Sequence, residues 1–213
     1  MLMIDKQREP PALLEYRLTS DASYDGPNFT PVKDAIRRQL LDEQGHLCAY
    51  CMGRIKRESM KIEHWRPQGS HPELQLAYPN LLGVCKGNEG QALENQHCDT
   101  HKGNRLISYN PADTGHRIED KVRHLGSGTI QGTETAFDTD LDGTLNLNLR
   151  RLQENRKGVI DAVRQVLADR PGTRTKTQIE KYLGLWQSPA ENGKRQPYAG
   201  VAIYWLKKRL NRI

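Results

Sequence analysis

The chain has 213 residues, 27% of them charged, with 32 Lys and Arg against 26 Asp and Glu for a formal charge of +6. No stretch approaches the ~18 consecutive apolar residues of a membrane span, and Met1-Leu2-Met3-Ile4-Asp5-Lys6 turns charged too early for a signal peptide, so a cytoplasmic protein is expected. This length supports one solid core or a small catalytic core with helical additions, and the basic surplus is compatible with a polyanionic partner without requiring one.

In chain order, residues 1–29 read as an irregular arm, broken at Pro10-Pro11 and Asp25-Gly26-Pro27. Thr30-Pro31 then opens a helix as N-cap and first-turn proline; Val32, Ala35, Ile36 and Leu40 recur at helical spacing, and Gly45 stops it. Residues 46–105 hold every cysteine. Residues 106–147 carry short β-like runs around Gly126-Ser127-Gly128 and Asp142-Gly143, which predict hairpins. A broad apolar stripe from Leu149 to Leu167 predicts a helix, weakened in its middle by Gly158. Pro171-Gly172 breaks the chain, a short helix is expected over residues 176–186, and a last one starts near Tyr198. Ala199, Ala202, Ile203, Leu206 and Leu210 share one face of that last helix. Lys207, Lys208 and Arg209 suit the negative end of its dipole, which is enough to explain them.

Some patterns have bland explanations. Asp138-x-Asp140-x-Asp142-Gly143 begins like a calcium loop, but Leu149 stands where the bidentate Glu belongs, and an Asp-Gly hairpin turn accounts for the same residues. His46, His71, His116 and His124 have no repeated spacing and read as surface or packing residues. Trp65, Trp186 and Trp205 read as core aromatics, with Trp65 placed to buttress His64.

The cysteines carry the first chemical signal. Cys48-x2-Cys51 is a knuckle that aims two thiolates at one tetrahedral point, and Cys85 and Cys98 would close a four-sulfur zinc site, with His97 as an alternative fourth ligand. A thioredoxin-type motif would need a βαβ context that is absent. Four protein ligands leave no position for water, so this zinc would be structural.

Between the cysteines lies Lys61-Ile62-Glu63-His64-Trp65-Arg66-Pro67, followed by Tyr78-Pro79-Asn80-Leu81-Leu82 and Cys98-Asp99-Thr100-His101-Lys102. A carboxylate beside a histidine divides two jobs, holding a hard cation and taking a proton from water. Order and spacing together make the chain resemble the HNH endonucleases over residues 46–105. The matching pieces are Cys48-Ala-Tyr-Cys51, Glu63-His64-Trp-Arg-Pro67, Asn80-Leu81-Leu82-Gly-Val-Cys85 and Cys98-Asp99-Thr-His-Lys102. Within that family it looks most like the PtuB-type nucleases of Septu and retron-associated anti-phage systems, on His97-Cys98-Asp99-x-x-Lys102-Gly103, Asn110-Pro111 and Leu145-Asn146-Leu147-Asn148 as well.

That resemblance implies an α+β fold: a zinc-stapled ββα-metal core (residues 46–110) preceded by an arm and helix (1–45). A hairpin and helical extension (111–213) would follow, packed with the core as one domain. It implies an endonuclease cleaving phosphodiester bonds, with DNA the favoured substrate, in which His64 is the general base and Asn80 orients it. Glu63 and Asp99 would hold Mg²⁺ or Mn²⁺, with His101 a competing ligand, and Lys102 would clamp phosphate. It also implies an ABC-type ATPase partner of PtuA type. Arg54, Lys56, Arg57 and Lys61 precede the Glu-His element and suit a nucleic-acid backbone. The alternatives are an RNase with the same core, transfer RNA being one such target, and a zinc-knuckle nucleic-acid-binding module without catalysis.

Overall fold

The computed structural model describes residues 1–168 and 174–212. It is α+β, with two small antiparallel sheets of two strands each. The expected break at Pro171-Gly172 lies outside the described residues.

The N-terminal arm is more ordered than its breakers suggest. Helix α1 (Pro11–Tyr16) begins with Pro11 in its first turn, where the missing N–H has no intrahelical partner to lose, and it buries Leu13 and Tyr16. Helix α2 (Phe29–Glu43) starts from Asn28 in the left-handed conformation, not from a Thr30 cap, and buries Phe29, Val32, Ile36, Leu40 and Leu41. Gly45 at φ +56° ends it, as expected.

Strands β1 (Met60–His64) and β2 (Leu81–Cys85) pair antiparallel from Met60 opposite Cys85 to His64 opposite Leu81. Strand β2 is apolar throughout because it is covered on both faces. On the α2 side the Gln44 amide grips its backbone: Nε2 donates to the Gly83 carbonyl at 2.7 Å and Gly83 N–H donates to Oε1 at 2.7 Å. A β-carbon at residue 83 would lie 3.2 Å from that amide, so glycine permits the approach. The other side carries the short helix α3 (Cys98–Lys102).

Strands β3 (Val122–His124) and β4 (Ile130–Gly132) form the hairpin expected around Gly126-Ser127-Gly128. The second expected hairpin is not there. Asp138 and Asp140 lie in helix α4 (Thr135–Thr139) and the wide helical turn after it (Asp140–Thr144). Their carboxylates serve local backbone instead: Asp138 accepts from Gly132 N–H, and Asp140 accepts from Ser108 N–H and Oγ–H. Buried Phe137 and Leu141 select this helical arrangement over a strand, since residues four apart share one helix face.

Helices α5 (Arg150–Ala168), α6 (Lys176–Gln187) and α7 (Ala199–Leu210) follow, close to expectation. Helix α6 opens on a reciprocal cap between Thr175 and Gln178. Val163, Ile179, Ala202 and Leu206 form the core of this layer, while a larger cluster draws on residues from Met1 to Leu152. Arg156 of α5 is buried, with no carboxylate partner among the described residues. Its guanidinium donates to the carbonyls of Gly128 (2.5 Å) and Leu147 (2.7 Å), tying α5 to the hairpin. No described helix is long and apolar enough to cross a membrane.

A candidate metal-dependent site beside a four-cysteine cluster

The cysteine cluster is built by a turn, a strand end and a helix start. Cys48 N–H donates to the Gly53 carbonyl (2.8 Å) and Met52 N–H to that of Cys48 (3.0 Å), curling the knuckle so that both thiols face inward. Cys85 arrives at the end of β2 and Cys98 at the start of α3. All four Sγ atoms lie within 4.8 Å of one another, with 3.8 Å between Cys48 and Cys98 and 3.8 Å between Cys51 and Cys85. A tetrahedron with zinc–sulfur bonds of about 2.3 Å has edges of about 3.8 Å, so the four sulfurs fit that ion.

Their electrostatics agree. Burial opposes charge on Cys48, yet hydrogen bonds from Cys51, Cys85 and Cys98 hold its thiol well below the ordinary range. The cost falls on the others: hydrogen bonding with Cys48 and Cys51 raises Cys85, and burial, then the same neighbours, raises Cys98. Four thiolates cannot ionise together in so small a volume unless a cation lies among them. His97 completes the surroundings without replacing a cysteine, since its Nδ1 lies 3.2 Å from Cys98 Sγ and 3.9 Å from Cys85 Sγ. The cluster is able to bind a structural zinc ion.

The second group shares α3 and the knuckle with the cluster and adds β1. Helix α3 carries Asp99 and Lys102 one turn apart, so both face β1, where Glu63 waits. The Glu63 carboxylate is buried and receives two donors on one oxygen: Tyr50 Oη–H at 2.9 Å and Lys102 Nζ at 2.8 Å, both to Oε1. Burial, then the neighbouring Asp99 carboxylate, raises the Glu63 carboxyl well above its usual range, against the pull of Lys102. A buried carboxylate and a half-buried one thus meet here, with the buried Lys102 ammonium on Glu63 and the Lys61 ammonium 3.5 Å from Asp99.

His64, the next residue, ends β1. Its Nε2 lies 2.9 Å from the Gln75 carbonyl. A carbonyl only accepts, so Nε2 carries the proton and Nδ1 keeps its lone pair. Among the described residues Nδ1 has no hydrogen-bond partner. Tyr24 from the N-terminal arm stands edge-on to the imidazole at 4.5 Å between centroids. Burial lowers the His64 pKa below its ordinary 6.5, partly offset by the Gln75 carbonyl and Asp99.

Several expected residues sit differently from their assigned roles. Asn80 does not touch the imidazole. Its side chain accepts from Arg66 N–H (2.8 Å) and donates to the carbonyls of Arg66 (3.0 Å) and Leu74 (3.3 Å). Any orienting effect therefore passes through the loop that delivers the Gln75 carbonyl. Lys102 is no exposed phosphate clamp, because its ammonium is buried on Glu63. His101 turns away from the carboxylates, with Nδ1 2.9 Å from the Thr144 carbonyl, so Asp99 is the residue that meets Glu63. Arg54 spends its guanidinium on the carbonyls of Gly45, His46 and Arg195, and Arg57 pairs with Asp34 at 2.5 Å. Lys61 contacts Glu89 (2.8 Å), Asp99 (3.5 Å) and Thr100 (3.0 Å), which places it beside the carboxylates. Lys56 stays exposed.

Three participants escaped the sequence. Tyr50 sits inside the cysteine knuckle, where its neighbours draw attention to sulfur. Gln75 contributes a carbonyl, which any residue would supply. Tyr24 comes from an arm with no periodic pattern at all.

No protein-family model matches the chain. It is 27% identical to the Septu protein PtuB of Bacillus thuringiensis over 178 residues, covering 70% of this chain and 68% of that protein. It is 21% identical to the HNH endonuclease ascribed to retron Vc95 of Vibrio cholerae, across 78% of this chain and 73% of the other. Over a shorter stretch, 32% of this chain and 31% of the relative, it is 35% identical to the HNH endonuclease ascribed to retron Ec83 of Escherichia coli. The chain is thus distantly similar to HNH-type nucleases of anti-phage systems.

Proposed function

We propose that this protein is a metal-dependent nuclease of the HNH type, cleaving nucleic-acid phosphodiester bonds with DNA as the favoured substrate. The observation that carries the reading is that Glu63 and His64 stand side by side at the end of β1, with Asp99 of α3 beside Glu63. In this reading β1, β2 and α3 are the ββα-metal unit, stapled by zinc on its four cysteines, and residues 1–45 and 111–213 pack with it as one domain.

Glu63 and Asp99 are the residues that would hold Mg²⁺ or Mn²⁺, two neighbouring carboxylates being the chemistry of a hard-cation site. When bound there, such an ion would supply charge stabilisation to the phosphate. The chain's own residues do the rest. His64 Nδ1 takes a proton from water, with Nε2–H held by the Gln75 carbonyl so that the ring keeps this tautomer. Burial keeps the imidazole neutral and ready at neutral pH. Asn80 fixes the loop on which that carbonyl depends. Lys61, beside the carboxylates, and the exposed Lys56 supply positive charge for the backbone of the substrate. The similarity to a Septu protein supports an ABC-type ATPase as partner and a role in anti-phage defence.

A second reading has its own support. Lys102 already neutralises Glu63 from within, so the corner can be a finished structural ion pair in a zinc-stapled nucleic-acid-binding module. An RNase with the same chemistry is the nearer variant. Incubation of plasmid DNA and transfer RNA with wild type and His64→Ala in Mn²⁺ separates these. Cutting by wild type alone supports the nuclease and identifies the substrate; binding without cutting by either protein, with the ATPase partner present, supports the module.

A further inference from the structure

Resting on the proposed nuclease reading, we infer that Tyr50 is a positioning residue that couples the zinc knuckle to the cation-binding carboxylate: its hydroxyl pins one oxygen of Glu63 and presents the other to the metal.

Tyr50 lies between Cys48 and Cys51, so its backbone is fixed from both sides by sulfurs of the cluster. The side chain is fully buried. Its Oη–H donates 2.9 Å to Glu63 Oε1, the oxygen that Lys102 also contacts at 2.8 Å. Two donors on Oε1 leave Oε2 as the oxygen free to ligate. A monodentate carboxylate of this kind keeps its angle only if the second oxygen is held, and outer hydrogen bonds of that sort tune metal affinity strongly. Lys102 supplies charge on a flexible stem. Tyr50 supplies direction on a rigid ring whose root is the zinc turn. The hydroxyl has no other partner among the described residues, and since a carboxylate oxygen only accepts, it is the donor to Glu63. A tyrosine needed only for packing would be served equally by phenylalanine, whose ring fills the same space.

That difference is the test. Mn²⁺ binding is measured by electron paramagnetic resonance on full-length zinc-loaded wild type, Tyr50→Phe and Glu63→Gln, with zinc content and thermal midpoint recorded for each. The expected result is one bound Mn²⁺ in wild type, loss of it in Glu63→Gln, and affinity weakened by about tenfold or more in Tyr50→Phe at unchanged zinc content. Wild-type affinity in Tyr50→Phe overturns the inference while leaving the carboxylate site standing. Loss of zinc in Tyr50→Phe also overturns it, making Tyr50 a part of the knuckle's fold. Absence of bound Mn²⁺ in wild type overturns both the site reading and the inference.

Discussion

The buried pair between Lys102 and Glu63 gives the sharpest energetic prediction. Both side chains are almost fully enclosed, at 1% and 5% exposure, and the ammonium stands 2.8 Å from the carboxylate. Lys102→Met keeps the aliphatic volume and removes the charge. Glu63 is then left buried beside Asp99 with only Tyr50 donating to it. Removing one partner of a buried pair costs about 3–5 kcal/mol, because the carboxyl left behind is dehydrated and must either keep an uncompensated charge or take up a proton. At this chain length each kcal/mol moves the thermal midpoint by about 2–4 °C, so a drop of roughly 6–20 °C is expected. Circular dichroism melts of zinc-loaded protein read it directly. If the corner binds divalent cations, excess Mn²⁺ will restore part of the loss in Lys102→Met, since the ion stabilises the folded state that binds it. A loss below about 1 kcal/mol, the range of an exposed pair, would refute the reasoning that the corner is dry.

Three further outcomes follow from other parts of the fold. Gln44→Met should cost about 2 kcal/mol in denaturant unfolding, because it strands buried backbone groups of Gly83 and the Leu47 carbonyl that the amide satisfies. Stripping the cysteine cluster with a chelator, or replacing Cys48 by Ser, should unfold the region holding β1, β2 and α3, seen as lost near-ultraviolet ellipticity; a chelated protein with an unchanged spectrum would show the cluster to be dispensable. His124 is buried against Tyr204 with no partner for Nδ1 among the described residues, and burial holds its pKa well below 6.5. The unfolded chain therefore binds a proton below pH 6.5 that the folded chain refuses, so stability falls as pH drops below 6.5. His124→Phe should lose up to about 1.4 kcal/mol less per pH unit there, and parallel profiles for the two proteins would contradict this.

The long helices were legible because Val32, Ile36 and Leu40, or Ala202 and Leu206, repeat at helical spacing over several turns. The cysteine cluster was legible because a knuckle plus two later thiols leaves few other uses. The Asp138–Asp142 segment was misread as a hairpin turn: Asp-Gly signals a turn locally, and burial of Phe137 and Leu141 on one helical face overrode it. The roles of Asn80 and Lys102 were misplaced for a related reason. Spacing brings residues to a neighbourhood, whereas the atom each one contacts depends on which neighbouring groups burial leaves unsatisfied. Asn80 answers to the backbone of Arg66 and Leu74, and Lys102 to the buried charge of Glu63. Tyr24 reaches His64 only through the path of the arm, which no local pattern encodes.

The central claim is that His64 is a general base in a metal-dependent hydrolytic site. The direct measurement is the rate of strand cleavage of an end-labelled duplex in Mn²⁺ across pH, for wild type and His64→Ala in the presence of the ATPase partner. The expected wild-type rate rises with pH and levels off above an inflection below 6.5, and His64→Ala should lose about 10²–10⁴-fold with duplex binding intact. Equal rates for the two proteins, or binding by both without cleavage by either, would contradict it.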